Sequence, residues 1–286
     1  MRTFILCVGA QKSGTTWLFK QIIKSKHFSR GLSKEYHLFD VLYLGGCSDA
    51  VNNISRRINN YPFNQSLGIM EKNKEIMLSF YTDKNNYYDY IDSILTTNDS
   101  FTSDITPSYS GLKSTVLAEI KHELNKRGIA VKVIFLMREP ITRLESALRM
   151  GLKRSKSLRR TESSVMAQKM RSMINSPNDM LRSNYAYTCG QIDQAFTANE
   201  VFYGFYETLF SQSETARLGA FLNLNADIFD ANHIVNSSAK PFKYCLSDMN
   251  HFKELVNDRY QFVTERFNFD ISKWDEATLK LVDHSL

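Results

Sequence analysis

The chain has 286 residues, 43% hydrophobic and 23% charged, and its 36 Lys and Arg against 30 Asp and Glu leave a net charge of +6. That is an ordinary soluble globular composition, and the mild basic excess suits anionic ligands while falling well short of a nucleic-acid-binding signature. Cys7, Cys47, Cys189 and Cys245 are far apart and form no CxxC pair, which excludes a disulfide framework and a zinc pattern and fits a reducing cytoplasm.

In chain order, Thr3–Val8 is a short continuous apolar run and predicts a buried strand. The apolar stretch Phe4–Ala10 is too short for a signal peptide or a membrane span, and no later segment is long enough, so a soluble cytoplasmic protein is expected. After the loop "GAQKSG", a helix is predicted from Thr15 to about Lys24, with Trp17, Leu18, Ile22 and Ile23 at helical spacing. Between Asp49 and Thr97 the spacing is again helical, with breaks near Pro62 and at Asp83–Asn86. Ser100–Ile105 reads as a strand ending at Thr106-Pro107, and Leu112–Arg127 as an amphipathic helix stopped by Gly128.

Ala130–Met137 is apolar enough for the middle of a parallel sheet, and a helix from Pro140 to Met150 follows, with the proline in its first turn. The basic run "GLKRSKSLRR" (Gly151–Arg160) reads equally as solvated surface or as a binding stretch. A helix over Ser183–Thr197, a strand over Glu200–Tyr206 and a helix over Asn250–Arg266 complete the reading. Strands alternating with helices predict an α/β fold, one domain over residues 1–286 with a central parallel sheet flanked by helices.

A strand, a glycine-containing loop and a helix aim backbone N–H groups and the positive end of the helix dipole at one point, which binds phosphate or sulfate. The nucleotide triphosphatase P-loop needs a lysine directly after its second glycine. Here Thr15 follows Gly14 and the lysine stands earlier, at Lys12; no G-x-G-x-x-G occurs either. The stretch "GAQKSGTTWL" (Gly9–Leu18) instead resembles the P-loop-like 5′-phosphosulfate loop of sulfotransferases that use 3′-phosphoadenosine 5′-phosphosulfate (PAPS). The resemblance implies that Lys12 neutralises charge on the bridging oxygen as the S–O bond breaks, without a metal. It implies further that Ser13, Gly14, Thr15 and Thr16 hold the 5′-phosphate. Trp17 reads either as a core residue or as a face on which adenine stacks.

A second segment, "REPITRLES", begins at Arg138 and places Ser146 two helical turns on. A guanidinium from a strand end and a hydroxyl from the next helix can grip one phosphate. Read alone, Arg138 and Arg143 could be ordinary helix-start charges. With Glu139, Pro140, Arg143 and Ser146 in place, the segment resembles the same family's 3′-phosphate site. "SKEYHLFD" (Ser33–Asp40) resembles the K-E-x-H-x-F-D stretch of heparan-modifying carbohydrate sulfotransferases, which implies Glu35 as the base, with Lys34, His37 and Asp40 nearby. His37 is the competing base, because small-molecule members use a histidine.

"DITPSY" (Asp104–Tyr109) is similar to the K-T-P-x-Y segment, but Ile105 stands where relatives have a lysine that helps hold the sulfuryl group or acceptor. "SNYAYTCGQIDQAF" reads either as a plain amphipathic helix or as similar to the family's S-x-Y-x-x-x-L-x-x-[WY] helix, which implies that Tyr185 approaches the nucleotide. "NSSAKPF" stands where relatives close a loop over the nucleotide, which implies a phosphate contact from Lys240. The expected enzyme is a bacterial or phage-type sulfotransferase, with PAPS as donor and adenosine 3′,5′-bisphosphate (PAP) as product. Its expected acceptor is a glycan or glycosylated small molecule, with no metal, nucleic acid or membrane involved. The alternatives are a P-loop-type nucleoside or small-molecule kinase and, less well matched to evenly scattered Lys and Arg, a basic nucleic-acid-binding module.

Overall fold

In the computed structural model, which describes residues 1–45, 67–158, 161–230 and 240–283, the strands form one parallel sheet. They are β1 (Thr3–Gly9), β2 (Phe101–Ile105), β3 (Ala130–Met137) and β4 (Val201–Phe205), arranged in the order β2-β1-β3-β4. Strands β1, β2 and β3 are buried along nearly their whole length, as a sheet covered on both faces requires; β2 is so although Thr102, Ser103 and Asp104 are polar. Alternate residues of β1 feed two cores. Phe4, Leu6 and Val8 join Tyr87, Tyr109, Ile120 and Phe135 on one side, and Ile5 and Cys7 join Trp17, Leu18, Ile134 and Leu218 on the other.

Helices α1 (Thr15–Ile22), α2 (Leu38–Leu44), α3 (Leu67–Thr82) and α4 (Asn85–Ile94) lie between β1 and β2 in the chain. Helix α5 (Ser114–Lys126) then leads to β3, and α6 (Pro140–Arg154), α7 (Ser163–Met173), α8 (Pro177–Ser183) and α9 (Tyr185–Ala195) lead to β4. The chain ends in α10 (Gln212–Leu222), α11 (Leu246–Leu255), α12 (Asn257–Phe267) and α13 (Ser272–Leu279). From β1 the chain goes to one edge to form β2, then crosses to the other side of β1 to form β3. Such a reversal opens a crevice beyond the carboxyl ends of β1 and β3, where ligands enter open α/β sheets. The stretches beginning at Gly9 and Arg138, which resemble phosphate-binding segments, lie on the loops that leave those two strand ends.

Two predicted helices are interrupted. The helix expected over Ser183–Thr197 begins at Tyr185, because the Asn184 side chain accepts the Tyr187 N–H at 3.0 Å and caps a new helix there. The stretch Asn250–Arg266 belongs to two helices, α11 and α12, separated at the buried Val256. The helix from Pro140 runs on to Arg154, so it carries the first part of the basic run. Helices α2, α7, α8, α10 and α13 were not anticipated from the apolar spacing. The predicted break at Asp83–Asn86 falls between α3 and α4, while the one near Pro62 lies outside the described residues, as do Cys47 and Arg159–Arg160. No described helix is long and apolar enough to cross a membrane.

Candidate active site

The loop after β1 depends on two glycines. Gly9 has φ +147° and a Cβ there would sit 2.9 Å from the Pro107 carbonyl oxygen; Gly14 has φ +92° and a Cβ would meet Leu209 Cδ2 at 2.8 Å. Only glycine takes both the backbone angle and the close approach. Gly14 is also the N-cap of α1 and has no side chain to cap it, which leaves first-turn N–H groups for an anion. Ser13 is fully buried, and its Oγ has no partner among the described residues. Burial lowers the Lys12 pKa, and the nearby Arg138, Arg149 and Arg154 lower it further. A cradle of N–H groups beside clustered cations, with a buried hydroxyl still to be satisfied, fits a multiply charged donor such as PAPS.

At the end of β3 the second motif meets the first. Arg138 Nη1 donates to the Lys12 carbonyl oxygen at 2.9 Å, Nε donates to Thr142 Oγ1 at 3.3 Å, and the guanidinium lies 4.2 Å from the centre of the Tyr206 ring. Tyr185 is fully buried behind this strand end, and its hydroxyl donates to the Arg138 carbonyl at 2.6 Å. Its observed contact is thus to the backbone that carries Arg138. Glu139 caps α6 by accepting the Ile141 and Thr142 N–H groups at 2.9 and 2.6 Å, and Tyr260 from α12 donates to the same carboxylate. Ser146 lies along that helix, 5% exposed. Arg143 is buried against Asp179, whose other oxygen is 3.6 Å from Arg259, so it serves the fold.

Trp17 is 3% exposed, packs against Phe210 and Phe229, and donates its indole N–H to the Asp230 carbonyl at 3.0 Å. Of its two readings, those surroundings suit the core residue. Lys240 is exposed, and residues 236–239 of its segment 236–242 lie outside the described residues. Just beyond it, the Phe242 N–H donates to Glu145 Oε1 at 3.1 Å and ties this strand of chain to the helix that bears Ser146.

The third motif forms a relay beside the loop. Lys34 Nζ donates to Glu35 Oε1 at 2.6 Å and to Thr16 Oγ1 at 3.4 Å, so the segment touches the first turn of α1. The His37 ring lies between Glu35 Oε2 at 3.2 Å and Asp40 Oδ2 at 2.8 Å, and Ser108 Oγ donates to Asp40. Burial works against a charge on His37, but the Asp40 and Glu35 carboxylates outweigh it and push the imidazole up to about 10. Burial likewise raises Glu35, yet the His37 hydrogen bond and the Lys34 ammonium win and bring it down to about 2. Around neutral pH the pair is therefore a carboxylate and an imidazolium. With both ring nitrogens protonated, His37 has no lone pair with which to accept a proton.

This charge state has a consequence for stability. The contribution of His37 is fully present below 6.5, its ordinary value, and is lost as pH rises through about 10. His37→Asn is therefore expected to be less stable than the native chain at pH 6, with the deficit shrinking towards pH 10. Urea denaturation at the two pH values measures it, and an equal deficit at both would remove the charged pair from the account.

The "DITPSY" segment holds the relay from below. The fully buried Asp104 carboxylate accepts from Thr106 Oγ1 (2.5 Å), Tyr109 OH (2.9 Å), Tyr87 OH (3.1 Å) and the Tyr36 N–H (3.3 Å). Burial pushes it up to about 6 despite these donors. The Ile105 N–H donates to the Lys34 carbonyl at 2.8 Å, and the Leu38 N–H donates to Tyr109 OH at 3.1 Å. Sequence reasoning did not single out Asp104, Ser108 or Tyr206. Ser108 meets Asp40 and Tyr206 meets Arg138 across long stretches of chain, and the nearby Thr106 and Tyr109 around Asp104 were the one local signal.

No protein-family model matches the chain, and no curated protein does. Among solved structures, it is similar to a sulfotransferase from Alicyclobacillus acidocaldarius, with a TM-score of 0.57 and 15% identity over 96% of this chain and 99% of that one. This likeness establishes the sulfotransferase fold. Weaker similarities, each at TM-score 0.46 and 15% identity, are to two further domains. One is the sulfotransferase domain from the curacin biosynthetic pathway, covering 82% of this chain and 79% of that one. The other is the sulfotransferase domain from the Synechococcus PCC 7002 olefin synthase, covering 94% and 95%.

Proposed function

We propose that the chain, acting as one catalytic domain over residues 1–286, transfers a sulfuryl group from PAPS to a hydroxyl or amine of a carbohydrate or glycosylated acceptor. The observation that carries this reading is the 2.9 Å contact between Arg138 and the Lys12 carbonyl, which joins two separate anion-binding motifs at the crevice between β1 and β3. A donor with phosphates at both its 5′ and 3′ positions needs two such sites, side by side. The absence of a lysine after Gly14 disfavours the kinase alternative.

The chemistry follows from the residues. The acceptor oxygen or nitrogen attacks sulfur, the bond from sulfur to the 5′-phosphate oxygen breaks, and the electron pair stays on that oxygen. Lys12 and the N–H groups at the start of α1 meet the charge that develops there. Glu35 takes the acceptor proton, while the charged His37, held by Asp40, keeps its carboxylate in place. Ser146 and Arg138 hold the 3′-phosphate, with Tyr185 bracing the backbone of Arg138.

Arg138→Ala tests the assignment of the two sites. Removal of a part-buried guanidinium from a phosphate is expected to weaken PAP binding by about 2–4 kcal/mol. Adenosine 5′-monophosphate, which lacks the 3′-phosphate, should lose much less. Dissociation constants for the two nucleotides decide the matter. Equal losses would mean that Arg138 does not read the 3′-phosphate.

A further inference from the structure

Ile105 stands where the resemblance expects an ammonium, and its side chain is fully buried in the core with Ile5, Cys7 and Trp17. It cannot reach a ligand. The residue held against it is Lys34, whose carbonyl accepts the Ile105 N–H at 2.8 Å. The next peptide is fixed too, with the Tyr36 N–H donating to Asp104 Oδ1 and to Thr106 Oγ1 at 3.3 and 3.1 Å. The Lys34 side chain, 19% exposed, therefore leaves a rigid base and ends between two groups, Glu35 at 2.6 Å and Thr16 in the first turn of α1 at 3.4 Å. One contact belongs to the proton acceptor of the reaction, and the other to the cradle for the donor.

Resting on the sulfuryl-transfer reading, we infer that Lys34 supplies the ammonium missing at position 105 and works as a donor-sensing switch. Without the donor it rests on Glu35. When a sulfonate lies against the loop, Lys34 moves a hydrogen bond from Glu35 to a sulfonate oxygen. The ammonium has three N–H donors and can hold Thr16 throughout. Glu35 is then relieved of its shortest contact and becomes a better base only when there is a sulfuryl group to transfer. Two jobs follow from one movement: charge at sulfur is offset, and the base is released.

The test compares PAPS with PAP, which differ by the sulfuryl group alone, by calorimetric titration of the full chain. Lys34→Ala is expected to weaken PAPS binding roughly 10-fold to 100-fold and to leave PAP within about twofold. Unchanged PAP affinity also shows that the variant is folded. Lys34→Met, which keeps the apolar stem, gives the same reading should the alanine chain fail to fold. Glu35→Gln should act in the opposite direction, tightening PAPS about threefold or more because the ammonium is no longer held by a charge, with PAP again unchanged. A merely structural Lys34 would weaken both nucleotides alike, and that result overturns the inference, as does PAPS affinity untouched by its loss. If the native chain binds neither nucleotide, the sulfuryl-transfer reading itself falls.

Discussion

Lys12→Ala is expected to lower turnover by about a hundredfold or more while the chain remains folded and still binds PAP. The ammonium is assigned to the oxygen on which charge appears as the S–O bond breaks, and a preorganised charge there is worth roughly 3 kcal/mol or more in the transition state. Its structural role is small, because the contact that joins the two motifs uses the Lys12 carbonyl, which alanine keeps. Release of PAP in the presence of a glycan acceptor measures the effect. Near-normal turnover would remove Lys12 from the mechanism. The same argument predicts a reaction independent of Mg²⁺, since a lysine and backbone dipoles can offset the charge of a sulfuryl transfer. Activity should therefore survive EDTA, which a kinase would not tolerate.

Glu35→Gln is expected to lower turnover by about 10²–10⁴, because the amide keeps the shape of the carboxylate but accepts no proton. The arrangement gives this substitution its meaning. His37 is held as an imidazolium by Asp40 and Glu35, with its pKa raised to about 10, whereas Glu35 is ionised, brought down to about 2. Only the carboxylate is in the right protonation state around neutral pH. PAP affinity should be unchanged, as Glu35 contacts Lys34 and His37 and not the phosphate loops. If Glu35→Gln remained active and His37→Ala were dead, the base would be His37 and the small-molecule branch the better analogy.

The parts of this site that were legible in the sequence are those encoded locally. "FILCV" before "GAQKSGTT" announces a strand, a glycine loop and a helix within a few residues, and the strand at Ala130–Met137 is apolar apart from Lys132. The order of strands in the sheet was not legible, because pairing of β1 with both β2 and β3 is decided by packing across long stretches of chain. Helix boundaries failed where the apolar period ran through a break. At Asn184 a capping side chain was present and could have been weighed; at Val256 the backbone leaves helical angles, with φ −113° and ψ 10°, and no local signal marks it. The contacts that turn motifs into a site were equally hidden. Arg138 lies over Tyr206, Lys34 reaches Thr16, and Asp104 collects Tyr36 and Tyr87, each joining one quoted stretch to residues outside it.

The central claim is that two linked anion sites receive a nucleotide with phosphates at both 5′ and 3′ positions. Thermal unfolding of the native chain with increasing PAP tests it most directly, and needs no knowledge of the acceptor. A ligand that binds only the folded state raises the midpoint with concentration, by about 2.7 kcal/mol of added stability at a hundredfold excess over its dissociation constant. PAP is expected to raise the midpoint markedly, and adenosine 5′-monophosphate at the same concentration to raise it far less. Equal shifts with the two nucleotides, or no shift with either, would contradict the account.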